Sequence, residues 1–340
     1  MKKLYVGYPT ALEIWDVLAR RGRARLGTCD SARLRDCSGS LATLRASTVS
    51  GPEWSGALQT PIHALVSDIS TRSRNASVTT HVWSASLPTG SLRRLDDVTA
   101  VASPALCFLF AASQLGLVDL TQLGLEICGT YSSGPDGQQE VCDIARRTSV
   151  EAIRALLDAC DVRGCATSAA RVKALRAIDH VIERVASPME GVVYLLLCLP
   201  YRLGSYGLPK PQANLALEIP RQFRRRLGAS RVVPDLCWPE RRVCVEYDSD
   251  EHHRGGARAA RDSVRRDALV AMGFTVHTLN MAQLQDVRLF DPTARQIAAE
   301  LGKRLRDTPD AANYQAMLDS RRELRRTLLD RGRAWKRPGA

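Results

Sequence analysis

The rhythm of hydrophobic and polar positions changes several times along the chain. Residues 10–27 read as a helix with a basic end, followed by a stretch rich in Cys and Ser. Between 61 and 102 the pattern turns to short strands. Ile62–Val66, Ser77–Ser84 and Val98–Ala102 are β-branched in part and separated by Ser/Arg/Asn or Pro-Thr-Gly turns. Ser103-Pro104 then opens an apolar helix, Ala105–Leu115, with serine as cap and proline in the first turn. The run Ser-Ser-Gly-Pro-Asp-Gly at 132–137 breaks the pattern. Two helices follow at 149–160 and 167–186, with Val172, Leu175, Ile178, Val181 and Ile182 at helical spacing in the second.

A different order begins at Ser187. A helix to about Leu199 leads through a Gly- and Pro-rich loop to an extended segment, Gln212–Pro220. A strand, Arg231–Trp238, turns at Pro239-Glu240-Arg241 into a second strand, Val243–Asp248. A helix at 258–272 and a strand at 274–279 complete a mixed α/β core of about 100 residues. Helices at 292–305 and 309–335 end the chain. The expected organisation is therefore an α+β module at 1–130, a helical spacer at 131–186, an α/β domain at 187–290 and basic helices at 291–340.

Composition changes this picture in one respect. Hydrophobic residues at 45% and charged residues at 25% are ordinary for a globular chain and exclude disordered and fibrous classes. The net charge of +12 is not ordinary. Residues 1–186 carry 21 basic and 18 acidic residues, whereas 187–340 carry 27 and 18, so a polyanion would meet the back of the chain. Aromatic residues at 5% argue against a stacking platform for single strands. The ten cysteines form no CxxC pair, and no histidine lies at finger spacing. With neither a signal peptide nor a run of about 18 apolar residues, a reduced, cytoplasmic protein without a membrane span is expected.

Candidate chemistry gathers in one stretch. Along Val243–Asp248, side-chain alternation puts Cys244, Glu246 and Asp248 on one face and Val243, Val245 and Tyr247 on the other. The preceding hairpin brings Asp235 alongside. Three carboxylates at a strand end repel one another unless a cation sits among them. Such oxygen ligands suit Mg²⁺ or Mn²⁺ shared with substrate phosphates, and the chemistry that follows is phosphodiester hydrolysis.

The ordered pieces are Ser187-Pro-Met-Glu190, Pro234-Asp235, Glu246-Tyr-Asp248 followed by His252, and Asp262-Ser-Val-Arg265 with Leu269 and Gly273. Over roughly residues 187–280 this order resembles the PD-(D/E)xK nuclease superfamily, in its very-short-patch-repair-like endonuclease branch. The resemblance implies a restriction-endonuclease-like core, metal ligands at Asp235, Glu246 and Asp248, and Glu190 and His252 as further catalytic residues. It departs from the superfamily pattern in having Asp248 at the lysine position, and from the branch in having Ser249 where a glycine is usual. More loosely, Thr60-Pro-Ile-His-Ala-Leu-Val, His81-Val-Trp-Ser, Leu87-Pro-Thr-Gly and Val101-Ala-Ser-Pro-Ala-Leu resemble proteins akin to abortive-infection type E antitoxins. That implies phage defence or a toxin–antitoxin pair, with a toxin or defence-system partner.

Other roles compete for these residues. Ser187 and Glu190 have the spacing of a capping box, and a carboxylate spent on the cap is not free for a metal. Asp235, Glu246 and Asp248 taken singly fit solvated charges on a hairpin. His252 suits proton transfer near neutral pH or a charged turn. Arg265 fits a phosphate contact, while 258–262 and 262–266 are surface pairs at i,i+4. Arg224, Arg225 and Arg226 and the C-terminal helix offer basic faces for nucleic acid. In that last helix Tyr314, Met317, Leu318, Leu324 and Leu328 form one apolar stripe. His63 and His81 read as structural. The expectation is a Mg²⁺-dependent DNA endonuclease, with a non-catalytic regulator of the same fold as the alternative. An RNA substrate fits the same residues.

Overall fold

The computed structural model describes residues 2–22, 26–29, 33–54, 57–72, 75–133, 141–160, 168–248, 256–305 and 311–331. Among them the chain is mixed α/β and divides into two compact units, which part between Val181 and Ile182. No helix of the described residues is long and apolar enough to cross a membrane.

The first unit is built on a six-stranded sheet. Its elements are β1 (Leu4–Val6), α1 (Tyr8–Arg20), β2 (Gly27–Thr28), α2 (Leu41–Ala46), β3 (Ile62–Val66), β4 (Val78–Val82), β5 (Leu92–Arg94) and β6 (Thr99–Ala102). Helices α3 (Pro104–Ala112), α4 (Leu117–Cys128), α5 (Val150–Ala159) and α6 (Ser168–Ile178) follow. The strand order is β2-β5-β6-β1-β3-β4. Ser103 caps α3 by accepting a hydrogen bond from Leu106 N, as the Ser-Pro signal predicts. The pattern missed α4, whose residues Leu120–Cys128 are all buried, so no polar face marks a period. The helices expected as a spacer are part of this unit: α5 and α6 pack on α3, and α6 also on α4. Their apolar faces need a partner, and α3, buried at eight of its nine positions, supplies one.

The second unit has a smaller sheet. It comprises α7 (Pro188–Cys198), β7 (Gln212–Ala213), β8 (Leu217–Glu218), α8 (Arg221–Leu227), β9 (Arg231–Val232), β10 (Leu236–Trp238), β11 (Val243–Asp248), α9 (Gly256–Ala271) and β12 (Thr275–Asn280), then α10 (Met281–Gln285), α11 (Val287–Glu300) and α12 (Ala311–Arg331). The strand expected at 231–238 is two strands, because Pro234 cannot donate to a ladder. Strand β10 pairs antiparallel with both β7 and β11, and β11 runs parallel to β12, giving the order β12-β11-β10-β7. The crossover between the two parallel strands contains α9, as a parallel connection requires.

Both faces of β11 are buried. Cys244 packs with Cys237, Ala268 and Leu269, while Val243 and Val245 lie in the core on the other face. The acid-bearing face is thus roofed by α9.

Helix α12 docks through Arg321, Leu324, Arg325 and Leu328, an i, i+3, i+4, i+7 stripe. The expected stripe holds only in part: Leu324 and Leu328 are buried, but Tyr314 is exposed. Two arginines of the basic helix turn inward instead. Arg321 lies 4.0 Å from the centre of the Tyr206 ring and Arg325 4.7 Å from that of Phe290, so flat guanidinium groups take places an apolar residue would have filled. The helix approaches the chain at Gly204, whose φ of +83° suits glycine and where a Cβ would collide with the carbonyl oxygen of Ser320.

Candidate functional site

The site is assembled at one end of the second unit's two central strands, where β10 begins and β11 ends. Leu236 pairs with Val245 and Cys237 with Cys244. One residue further along the same register, Asp235 stands across from Glu246. On its other side the Asp235 carbonyl accepts a hydrogen bond from Asn214 N at 3.0 Å. The Asp235 carboxylate is fixed by the backbone: its Oδ2 accepts a hydrogen bond from Tyr247 N at 2.8 Å. Burial, then the charge of Glu190, pushes its pKa up to about 7. Glu246 is only 4% exposed, and its Oε1 accepts no hydrogen bond among the described residues.

A guanidinium faces both acids. Arg265 Nε lies 3.0 Å from Glu246 Oε1, and Nη2 lies 4.0 Å from Asp235 Oδ1. Sequence spacing offered surface pairing within α9 as a primary role for this arginine. The seating of α9 over Cys244 and Cys237 brings it to Asp235 and Glu246, while the side chains of the expected surface pairs at 258 and 262 lie outside the described residues.

Glu190 sits at the start of α7, where Ser187 Oγ accepts from Glu190 N at 3.2 Å. Its carboxylate does not complete the reciprocal half of a capping box on Ser187. Oε2 accepts from Ala186 N at 2.9 Å and from Asn214 Nδ2 at 2.7 Å. Burial raises the Glu190 pKa, opposed by these hydrogen bonds and by the charge of Arg265. Cap-like bonding and proximity to the acid pair therefore coexist.

The remaining candidates divide. Asp248 closes β11 and is exposed; among the described residues no group of three or more His, Cys, Asp or Glu gathers to hold a metal. His252 lies outside the described residues. Arg224 donates to Ile219 O at 2.7 Å and pairs with Glu218, Arg225 is exposed, and the side chain of Arg226 lies outside the described set.

Two features escaped the sequence reading. Asn214 joins the site by bonding Glu190 and the Arg184 carbonyl, and its φ of +48° is a left-handed geometry that asparagine tolerates. An asparagine inside an extended apolar segment was the available signal. In the first unit, His63 Nδ1 and His81 Nε2 are 2.8 Å apart, and Tyr8 stacks on His81 at 3.8 Å between ring centres. Burial lowers the pKa of both, that of His81 to about 4, so the pair is neutral at pH 7.

The donor chemistry of Asp235 and Glu246 fits a hard divalent cation. Mg²⁺ is commonly held by one or two carboxylates, with water and phosphate oxygens filling the rest of its octahedron. A buried carboxylate oxygen without a hydrogen bond is the kind of atom such an ion would satisfy. The residues fit a two-carboxylate arrangement; the three-carboxylate set expected with Asp248 is not gathered. Comparisons with family models, with curated proteins and with solved structures find no match to this chain.

Proposed function

We propose that the second unit is a divalent-metal-dependent DNA endonuclease with a restriction-endonuclease-like core. The observation that carries this reading is the placement of Asp235 across from Glu246 at the end of the two central strands, Glu246 buried and Asp235 largely so, with Glu190 close enough to raise the pKa of Asp235. In open α/β sheets, ligands bind outside the carboxyl ends of parallel strands, and Glu246 and Asp248 lie at that end of β11. The order helix, antiparallel strands, helix, parallel strand supports the same core.

In this reading Asp235 and Glu246 hold Mg²⁺ or Mn²⁺, and the Tyr247 N–H fixes the Asp235 carboxylate in place. A bound divalent ion would supply an activated water and a countercharge for the leaving oxygen. Asp248 is exposed at the end of the same strand and would act on that water rather than as a third ligand. Arg265 offers a planar donor pair to a phosphate. The basic excess of residues 187–340 draws the polyanion in, through phosphate contacts that weaken as salt rises. Purified protein with supercoiled plasmid and Mg²⁺ or Mn²⁺ provides the test. Nicking or linearisation is expected, and cleavage that survives in both Asp235→Ala and Glu246→Ala overturns the assignment.

One observation favours a second reading. Arg265 already supplies a cation to the acids, which suits a non-catalytic, antitoxin-like regulator that keeps the fold and binds DNA without metal. Salt-sensitive DNA binding indifferent to metal and to Glu246→Ala, with no cleavage, would select it. The loose resemblance of the motifs between Thr60 and Leu106 to antitoxin-type proteins supports reading either version in a bacterial defence setting, with a toxin as candidate partner.

A further inference from the structure

The second unit's acids and the arginine facing them differ in access to water. The side chains of Glu246 and Asp235 are 6% and 13% exposed, while that of Arg265 is 35% exposed. The arginine is therefore the most water-accessible of the three side chains. Its Nε lies against Glu246 Oε1 without hydrogen-bond geometry, an electrostatic contact rather than a directed one. A guanidinium stays charged at any ordinary pH, so this contact cannot be relieved by losing a proton.

A second arginine offers a sealed counterpart. Arg147 in the first unit also lies between two acids, Asp16 and Glu126, but its side chain is 1% exposed. It also donates to two backbone carbonyls, those of Glu126 and Tyr131. That guanidinium is held by the main chain on the side away from the Asp16 carboxylate.

We infer that Arg265 is a resident counter-cation that competes with the divalent ion for Asp235 and Glu246, and that it is handed to a substrate phosphate when the ion binds. This rests on the proposed metal site and adds its regulation. The guanidinium neutralises the acids in the resting protein. A divalent ion at the same oxygens brings twice the charge and must displace it. Once displaced, Arg265 turns its planar donor pair to a phosphodiester held at the same site. Metal and DNA then bind with positive coupling, each favouring the arrangement that the other needs.

The test is Mn²⁺ affinity, measured by electron paramagnetic resonance on the full chain without DNA and again with a short duplex carrying non-hydrolysable linkages. Without DNA, Arg265→Gln is expected to bind Mn²⁺ about tenfold more tightly than wild type, since one competing unit charge is gone. The duplex is expected to tighten Mn²⁺ binding by wild type several-fold more than by the variant. Arg265→Lys, which keeps the charge, serves if the glutamine form does not fold, and should bind Mn²⁺ in the absence of DNA with an affinity closer to that of wild type. Equal or weaker Mn²⁺ binding by Arg265→Gln overturns the competition while leaving the metal site standing. If no protein binds Mn²⁺ in a way that Glu246→Gln abolishes, the metal site itself fails and the inference with it.

Discussion

Each unit sets an arginine between two acids, and the two settings differ in what surrounds the guanidinium. Arg147 is sealed in, paired with Asp16 and Glu126 and bonded to two main-chain carbonyls. Arg265, itself partly exposed, faces Glu246 and Asp235 at the end of a strand pair. The first arrangement has every charge answered inside the core, which is how a buried ion pair avoids a large desolvation penalty. The second leaves an Asp235 carboxyl that takes up a proton near neutral pH and a Glu246 oxygen without a hydrogen bond. Shared charge pattern does not imply shared purpose. The sealed arginine ties α1, α4 and the segment after α4 together, while the half-open one sits where exchange with a ligand is possible.

The largest effect expected from breaking this comparison is on the sealed side. Arg147→Met leaves Asp16 and Glu126 buried without their cation and should cost about 3–5 kcal/mol, enough to unfold the first unit in a denaturant titration. The same truncation at Arg265 should cost only about 1 kcal/mol, because water reaches it. Comparable losses at the two sites would remove the distinction.

Next in size is the loss of cleavage in Glu246→Gln. This change keeps the shape and removes the charge, and plasmid cleavage should fall by at least about 100-fold. Retained activity would detach Glu246 from the chemistry.

The pH dependence of Asp235 sharpens the contrast further. Its carboxyl titrates near the ordinary 3.8 in the unfolded chain and is pushed up to about 7 when folded. The folded state therefore binds more protons between those values, so this group's contribution is complete below about pH 3.8 and is lost as pH rises through 7. In metal-free buffer Asp235→Asn should melt above wild type at pH 8, with the gap closing towards pH 4. A variant that melts below wild type at pH 8 would show that burial of this acid is not costly. The smallest effect belongs to exposed pairs: Arg231→Ala, which breaks its bond with Glu218, should change stability by less than about 1 kcal/mol in the same denaturant assay.

How much of this was readable from sequence depended on whether partners were near in the chain. Asp235 and Glu246 come together through one tight turn at 239–241, and strand alternation with hairpin pairing suffices to place them. The mixed α/β order of 187–280 was legible for the same reason, apart from the break at Pro234. Arg265 was not, because helical spacing proposes only partners on its own helix, whereas its acids are on strands packed beneath. Helix α4 was invisible since water touches almost none of it. Arg321 and Arg325 looked like a basic face because Tyr206 and Phe290, which receive them, lie far back in the chain.

Gly204 bears on what the end of this chain is for. The backbone passes so close to Ser320 that a single methyl group would push α12 from its seat. With it would go the two guanidinium groups that cover Tyr206 and Phe290, both fully buried rings. The last helix is thus one wall of the second unit. A chain cut short before Ala311 would expose an aromatic surface, and its expected fate is self-association rather than a smaller folded unit.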